Sequence, residues 1–136
     1  PFSRHSTHYR LLAHINEVAE AGLMLVDFAY SHWPDEWTKK LDRQELLQIL
    51  LLHDLDKYLL LSDESLERSI AHGTLSAMIL NDLGFDSRVI EAVASHSPSA
   101  SLHLDDPASM ILHYCDLFSC DHIYMLVSRT PHYCMK

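Results

Sequence analysis

The stretch Gln44–Tyr58, QELLQILLLHDLDKY, decides how the rest of the chain is read. Leu46, Leu47, Ile49, Leu50, Leu51 and Leu52 cover every side of a helix rather than one stripe, so this helix is expected to be central and surrounded by others. Asp42 and Glu45 have the spacing of a capping box at its start. At its end stand His53 and Asp54, with Lys57 one turn further on. A helix this apolar delivers its imidazole and its carboxylate toward an interior. There both need partners, because burying an unpaired carboxylate is strongly unfavourable.

Working outward, Leu11, Leu12, Ile15, Val18, Ala19, Gly22, Leu23, Leu25 and Val26 recur at three- and four-residue spacing. They predict one long amphipathic helix from Arg10 to about Tyr30, with His14 on its inward stripe. His32–Lys40, holding Trp33, Pro34 and Trp37, reads as a loop that its indoles anchor to the bundle. After the central helix another is expected from about Glu64 to Leu83. Ser69, His72, Ser76, Ile79 and Leu83 would share one face, and Gly84 is placed as its C-terminal cap.

A shorter helix over Ser87–Ser95 has Val89, Ala92 and Val93 inward and His96 at its rim, before Pro98 ends it. Asp106 and Pro107 make an N-cap and first-turn pair for a last helix running to about Val127. Its apolar content is Met110, Ile111, Tyr114, Leu117 and Phe118, with Asp116 inside the pattern. The Tyr114, Leu117 and Phe118 group is read as core rather than as a platform for stacking a nucleobase. Residues after about 128 read as a weakly ordered tail. No internal repeat or composition shift divides the chain, so the expectation is a single compact all-α bundle over residues 1–136.

Composition agrees with this and excludes several function classes. Hydrophobic residues make up 48% of the 136-residue chain, enough for a real core, and only 3 Gly and 5 Pro argue against a loop-rich β fold. A formal charge of −9 opposes binding to long nucleic acid or to an anionic membrane surface, both of which need clustered Lys and Arg. A small anionic substrate stays possible, because bound divalent cations would dominate the potential inside a pocket. Unbroken apolar runs such as Ile49–Leu52 are far too short to span a membrane. Cys115, Cys120 and Cys134 form neither a CxxC pair nor a disulfide framework, which suits reduced thiols in the cytoplasm.

His14, His53, Asp54, His72, His96 and Asp116 come from five expected helices, and all fall on or beside inward faces. A divalent cation would pair with such a set. Imidazole with carboxylate suits Mn²⁺, Fe²⁺, Co²⁺, Ni²⁺ or Zn²⁺, one or two per chain, and the lack of an organised cysteine set argues against an iron–sulfur or structural zinc site. Each residue alone is weak, since a single His on an apolar face is more often a satisfied core histidine. Order and spacing together carry the argument.

The order His … His-Asp … Asp, as His14, His53-Asp54 and Asp116, resembles that of the HD superfamily. The segments AHINEVAEAGL (13–23), LLLHDLDKY (50–58), AHGTLSAMILNDLGF (71–85), AVASHS (92–97) and YCDLFSCD (114–121) resemble the local contexts of its anchors. The resemblance implies an all-α bundle with His14, His53, Asp54 and Asp116 around one metal. His72 and His96 match the further ligands of two-metal branches, with Asp54 as the bridge. The chain departs from the pattern at Asp56, where many hydrolytic members have Gly before the lysine. It also has His96-Ser97 where the HD-GYP branch has paired histidines, and the absence of a GYP segment argues against hydrolysis of cyclic di-GMP.

These readings lead to a metal-dependent phosphohydrolase acting on a small phosphate ester or nucleotide. Asp54 would orient the attacking water. Lys57 would neutralise charge on the phosphoryl oxygens, and Arg68, four residues before His72, is a second candidate phosphate contact. A solvated Lys57 and an exposed Arg68 are the plain alternatives. His113, one turn before Asp116, is a candidate for orienting that carboxylate or else a partly packed residue. Two other functions use the same ligand types: a two-iron oxygenase, as in some HD-type proteins, and a non-catalytic sensing or interaction module.

Overall fold

A computed structural model describes residues 8–57, 73–96, 106–126 and 130, with backbone alone at 8–10, 124 and 126. The described residues form helices α1 (His8–His32), α2 (Asp35–Thr38), α3 (Arg43–Leu52), α4 (Thr74–Asp82), α5 (Ser87–Ala94) and α6 (Pro107–Leu126), and no strand. The expected all-α bundle is what the chain forms. None of these helices is long and apolar enough to cross a membrane.

The long α1 turns Leu11, His14, Val18, Gly22, Val26 and Ala29 inward at three- and four-residue steps. It runs two residues beyond the expected range at each end and stops before Pro34, whose ring disfavours helical geometry at Trp33. The segment expected as a loop contains one helical turn, α2, opened by Pro34 and carrying Asp35 and Glu36 at its start. Trp33 meets Trp37 edge-on at 6.3 Å and packs on the core, so the indoles do anchor this connection.

Asp42 caps α3 as its sequence suggests, its side chain accepting from the Glu45 N–H at 2.7 Å. Leu46, Ile49 and Leu50 are fully buried, but Leu51 is 41% exposed and Leu47 and Leu52 are half-buried. The all-round burial expected of this helix is therefore corrected. Helices α1, α5 and α6 pack on it and leave one side open. Helix α1 comes close enough to α3 that a Cβ at Gly22 would fall 2.7 Å from Leu50 Cδ2 and nearer still to Cδ1. Truncating a leucine in such a core costs roughly 2–5 kcal/mol.

The helix expected over Glu64–Leu83 is not continuous. Gly73 has φ +91°, outside helical geometry, and is the N-cap of an α4 that begins at Thr74. Ser76, Ala77 and Leu80 are its buried residues, whereas Leu83 is 67% exposed and leaves the inward face assigned to it. Gly84 does close the helix. Its N–H bonds to Asn81 O and the Phe85 N–H to Leu80 O, the paired pattern of a Schellman cap.

Asp86 caps α5, whose Val89, Ala92 and Val93 enter the common core. Arg88 ties that helix to the start of α3 through Lys40 O at 2.8 Å and Glu45 Oε1 at 3.4 Å. Asp106 accepts from both the backbone N–H and the hydroxyl of Ser109 at the head of α6. The core reading of Tyr114 and Phe118 is corrected: they are 51% and 60% exposed and, with Met24 and Phe28, line an open apolar groove between α1 and α6. The expected tail lies outside the described residues apart from Thr130, which is exposed.

Candidate metal centre

Three of the six anchors sit where long helices cross. His14 projects from α1, His53 caps the end of α3, and Asp116 projects from α6, while Asp54 follows His53 in the turn that leaves α3. One ligand atom from each of His14, His53, Asp54 and Asp116 lies within 4.8 Å of the other three. His14 Nε2 is 3.0 Å from Asp116 Oδ1 and 3.3 Å from Asp54 Oδ2. His53 Nε2 stands 3.5 Å from Asp54 Oδ2 and 3.6 Å from Asp116 Oδ1. His14, His53 and Asp54 are buried, and Asp116 keeps 16% of its side chain exposed.

The other side of each imidazole is fixed by the protein. His53 Nδ1 donates to Leu50 O at 2.8 Å, and His96 Nδ1 donates to Val93 O. His14 Nδ1 is 2.8 Å from Ser119 Oγ, a contact joining residues 105 apart in sequence. With Nδ1 engaged, every Nε2 faces the carboxylates, the orientation that metal-binding histidines adopt.

These residues fit a divalent cation. Ligands about 2.1 Å from one ion stand roughly 3.0–4.2 Å apart, which matches the spacings above. His53 Nε2 is buried with no hydrogen-bond partner, facing two carboxylate oxygens at distances too long for hydrogen bonds and suited to ligands of a shared ion. The donors are nitrogen and oxygen. Cys115 and Cys120 are free thiols on α6. Burial pushes Cys115 up to about 11, and burial together with Asp116 raises Cys120, so neither is disposed to act as a thiolate.

Without a cation the group is electrostatically self-paired. Burial disfavours charge on His14 and on His53, yet Asp116 and Asp54 outweigh it and hold both above the ordinary imidazole range. Burial likewise favours the protonated form of Asp116, but the facing imidazoles hold its carboxyl well below the usual carboxylate range. The same charges that pair with one another here would pair with a metal.

His96, buried beyond the end of α5, lies on the other side of Asp54, with Nε2 3.5 Å from Oδ1. Asp54 thus presents one oxygen to His14 and His53 and the other to His96. Lys57 is half-buried, bonds through its backbone N–H to Asp54 O at 3.0 Å, and brings its charge near enough to Cys120 to act on that thiol. His72 and Arg68 lie outside the described residues. His113 is half-buried and sets its ring against Tyr114 at 5.9 Å.

The sequence pattern placed Ser76 on an inward face without a role, singled out neither Ser119 nor Gly73, and marked Asp56 only as a departure. Ser119 carried a signal: it stands three residues after Asp116, on the same helical face. Asp56 is fully buried, and its side chain accepts from the Gly73 N–H at 2.8 Å.

Fold and site together define an all-helical domain with a buried His/Asp cluster that could hold a metal ion. A sequence profile of the HD domain matches residues 11–120, most of the chain, and the protein belongs to the HD domain family. No match was found among curated proteins or among solved structures. The family consists largely of metal-dependent phosphohydrolases.

Proposed function

We propose that this HD-type domain, spanning the 136-residue chain, is a metal-dependent phosphohydrolase that cleaves a small phosphate ester or nucleotide. The observation that carries the reading is the convergence of His14, His53, Asp54 and Asp116 with their ligand atoms turned on one point. A divalent cation bound there supplies the acidity that makes water nucleophilic near neutral pH and the positive charge that polarises a phosphoryl oxygen.

The protein's own groups supply the rest. His14, His53, Asp54 and Asp116 would hold the cation, and Asp54 would also orient the attacking water. The two-sided placement of Asp54 supports a second ion held by Asp54, His96 and His72. Lys57, at the edge of the centre, binds the phosphoryl oxygens, with Arg68 as a second contact. A net charge of −9 favours a small substrate over a long polynucleotide. Two buried free thiols suit the cytoplasm.

The test is metal content by elemental analysis of protein purified anaerobically without chelator, followed by anaerobic phosphate release from p-nitrophenyl phosphate and nucleoside monophosphates. We expect about one to two equivalents of metal per chain and turnover without oxygen, both lost in Asp54→Ala while helical content persists. Less than about a tenth of an equivalent after Mn²⁺ or Fe²⁺ is added would overturn the metal reading. Turnover that requires oxygen would replace the hydrolase with an oxygenase.

A further inference from the structure

We infer that Asp56 is a positioning residue that seats His96, acting across the fold through Gly73. The role given to His96 at the centre rests on the metal reading above; the mechanical link does not. Asp56 lies two residues beyond Asp54, in the turn leaving α3, and is fully buried. It grips the first turn of α4 twice: its backbone N–H donates to Ser76 Oγ at 2.7 Å, and its Oδ2 accepts from the Gly73 N–H at 2.8 Å. Ser76 is itself fully buried, so both contacts are made away from solvent, where hydrogen-bond geometry is hard to replace.

Gly73 converts that grip into the position of a ring. Its φ of +91° suits glycine, and a Cβ there would lie 3.0 Å from Val93 O, 3.3 Å from Ala94 O and 3.4 Å from His96 Cε1. Gly73 therefore faces the end of α5 with no room for a side chain between them, and α4 packs on α5. Any side chain at this position would press on the carbonyl that orients His96 Nδ1 and on the ring carbon between the two nitrogens. His96 Nε2 in turn faces Asp54 Oδ1 at 3.5 Å. The circuit runs from Asp54 through Asp56, Gly73 and His96 back to Asp54. It braces one side of the centre from the turn leaving α3 through the first turn of α4.

The experiment compares Asp56→Ala, Asp56→Asn and Gly73→Ala with the parent, reading the imidazole NMR signals of metal-free protein and then Zn²⁺ binding by calorimetry. In Asp56→Ala the His96 signals shift or broaden while those of His14 and His53 keep their positions. Asp56→Asn, which retains an oxygen acceptor for the Gly73 N–H, restores the parent pattern, and Gly73→Ala displaces His96 from the opposite end of the link. The Zn²⁺ step that depends on His96 weakens about 10–100-fold in Asp56→Ala, with the other step unchanged. Unmoved His96 signals in both Asp56→Ala and Gly73→Ala overturn the inference, as does an equal displacement of all three histidines. A parent that takes up no Zn²⁺ but whose His96 responds to Asp56→Ala sinks the metal reading and leaves the positioning role standing.

Discussion

His14 and His53 reach the centre from helices of 25 and 10 residues that pack directly on each other, whereas His96 lies just beyond an eight-residue helix. The first pair is held by the bulk of the core: Val18, Val26, Leu46, Ile49, Leu50, Ile111 and Leu112 are fully buried around it. On the second side, α4 packs chiefly on α5 and is fastened to the turn leaving α3 by the hydrogen bonds of Asp56. A ligand on long interlocked helices takes its backbone position from apolar packing and leaves one Nδ1 contact to orient its ring. One at the end of a short helix needs directional polar contacts of its own.

Deleting a ligand on each side should have the largest effect. His53→Ala should remove metal binding altogether, a loss of more than about a hundredfold in affinity, since it takes a ligand from the interlocked side. His96→Ala should leave one equivalent bound. Calorimetric titration with Zn²⁺ distinguishes the two, and equal loss in both variants would show that the sides are not separable.

A finer probe is Ser119→Ala, which frees the Nδ1 side of His14 without touching a ligand. Metal affinity should fall by about 10–100-fold with helical content unchanged. No change would mean that core packing alone orients that ring.

The smallest expected effect is on pH dependence. His14 and His53 are both raised above their ordinary 6.5 in the metal-free fold. A group raised on folding contributes stability that is full below its unfolded value and is lost as pH climbs through the folded one. Metal-free protein should therefore lose stability from these residues as pH rises above about 6.5, while metal binding tightens because the competing protons leave. The Tm difference between loaded and metal-free protein should widen between about pH 6 and 8. A constant gap would take these histidines out of the metal site.

Much of the centre was legible because its anchors follow helical periodicity. His14 shares the stripe of Leu11 and Val18, and His53-Asp54 ends a run too apolar to lie at a surface. Gly73 was not legible in the same way. The apolar pattern continues through it, and a glycine inside a helix costs only about 1 kcal/mol, so periodicity alone carried the expected helix across a residue that is in fact its cap. Tyr114 and Phe118 failed for another reason: spacing shows that residues share a face, but not whether anything packs against it. The Ser119 contact needs α1 and α6 side by side, information no local window contains.

The close approach at Gly22 ties two positions into a single unit of variation. A side chain there would collide with Leu50, whose carbonyl holds His53, so the spacing between α1 and α3 is also the spacing between two histidines of the centre. Residue 22 can gain atoms only if the side chain at 50 shifts or shrinks. Sequence drift at this crossing is therefore expected as paired exchange, with intermediates that misplace His14 relative to His53.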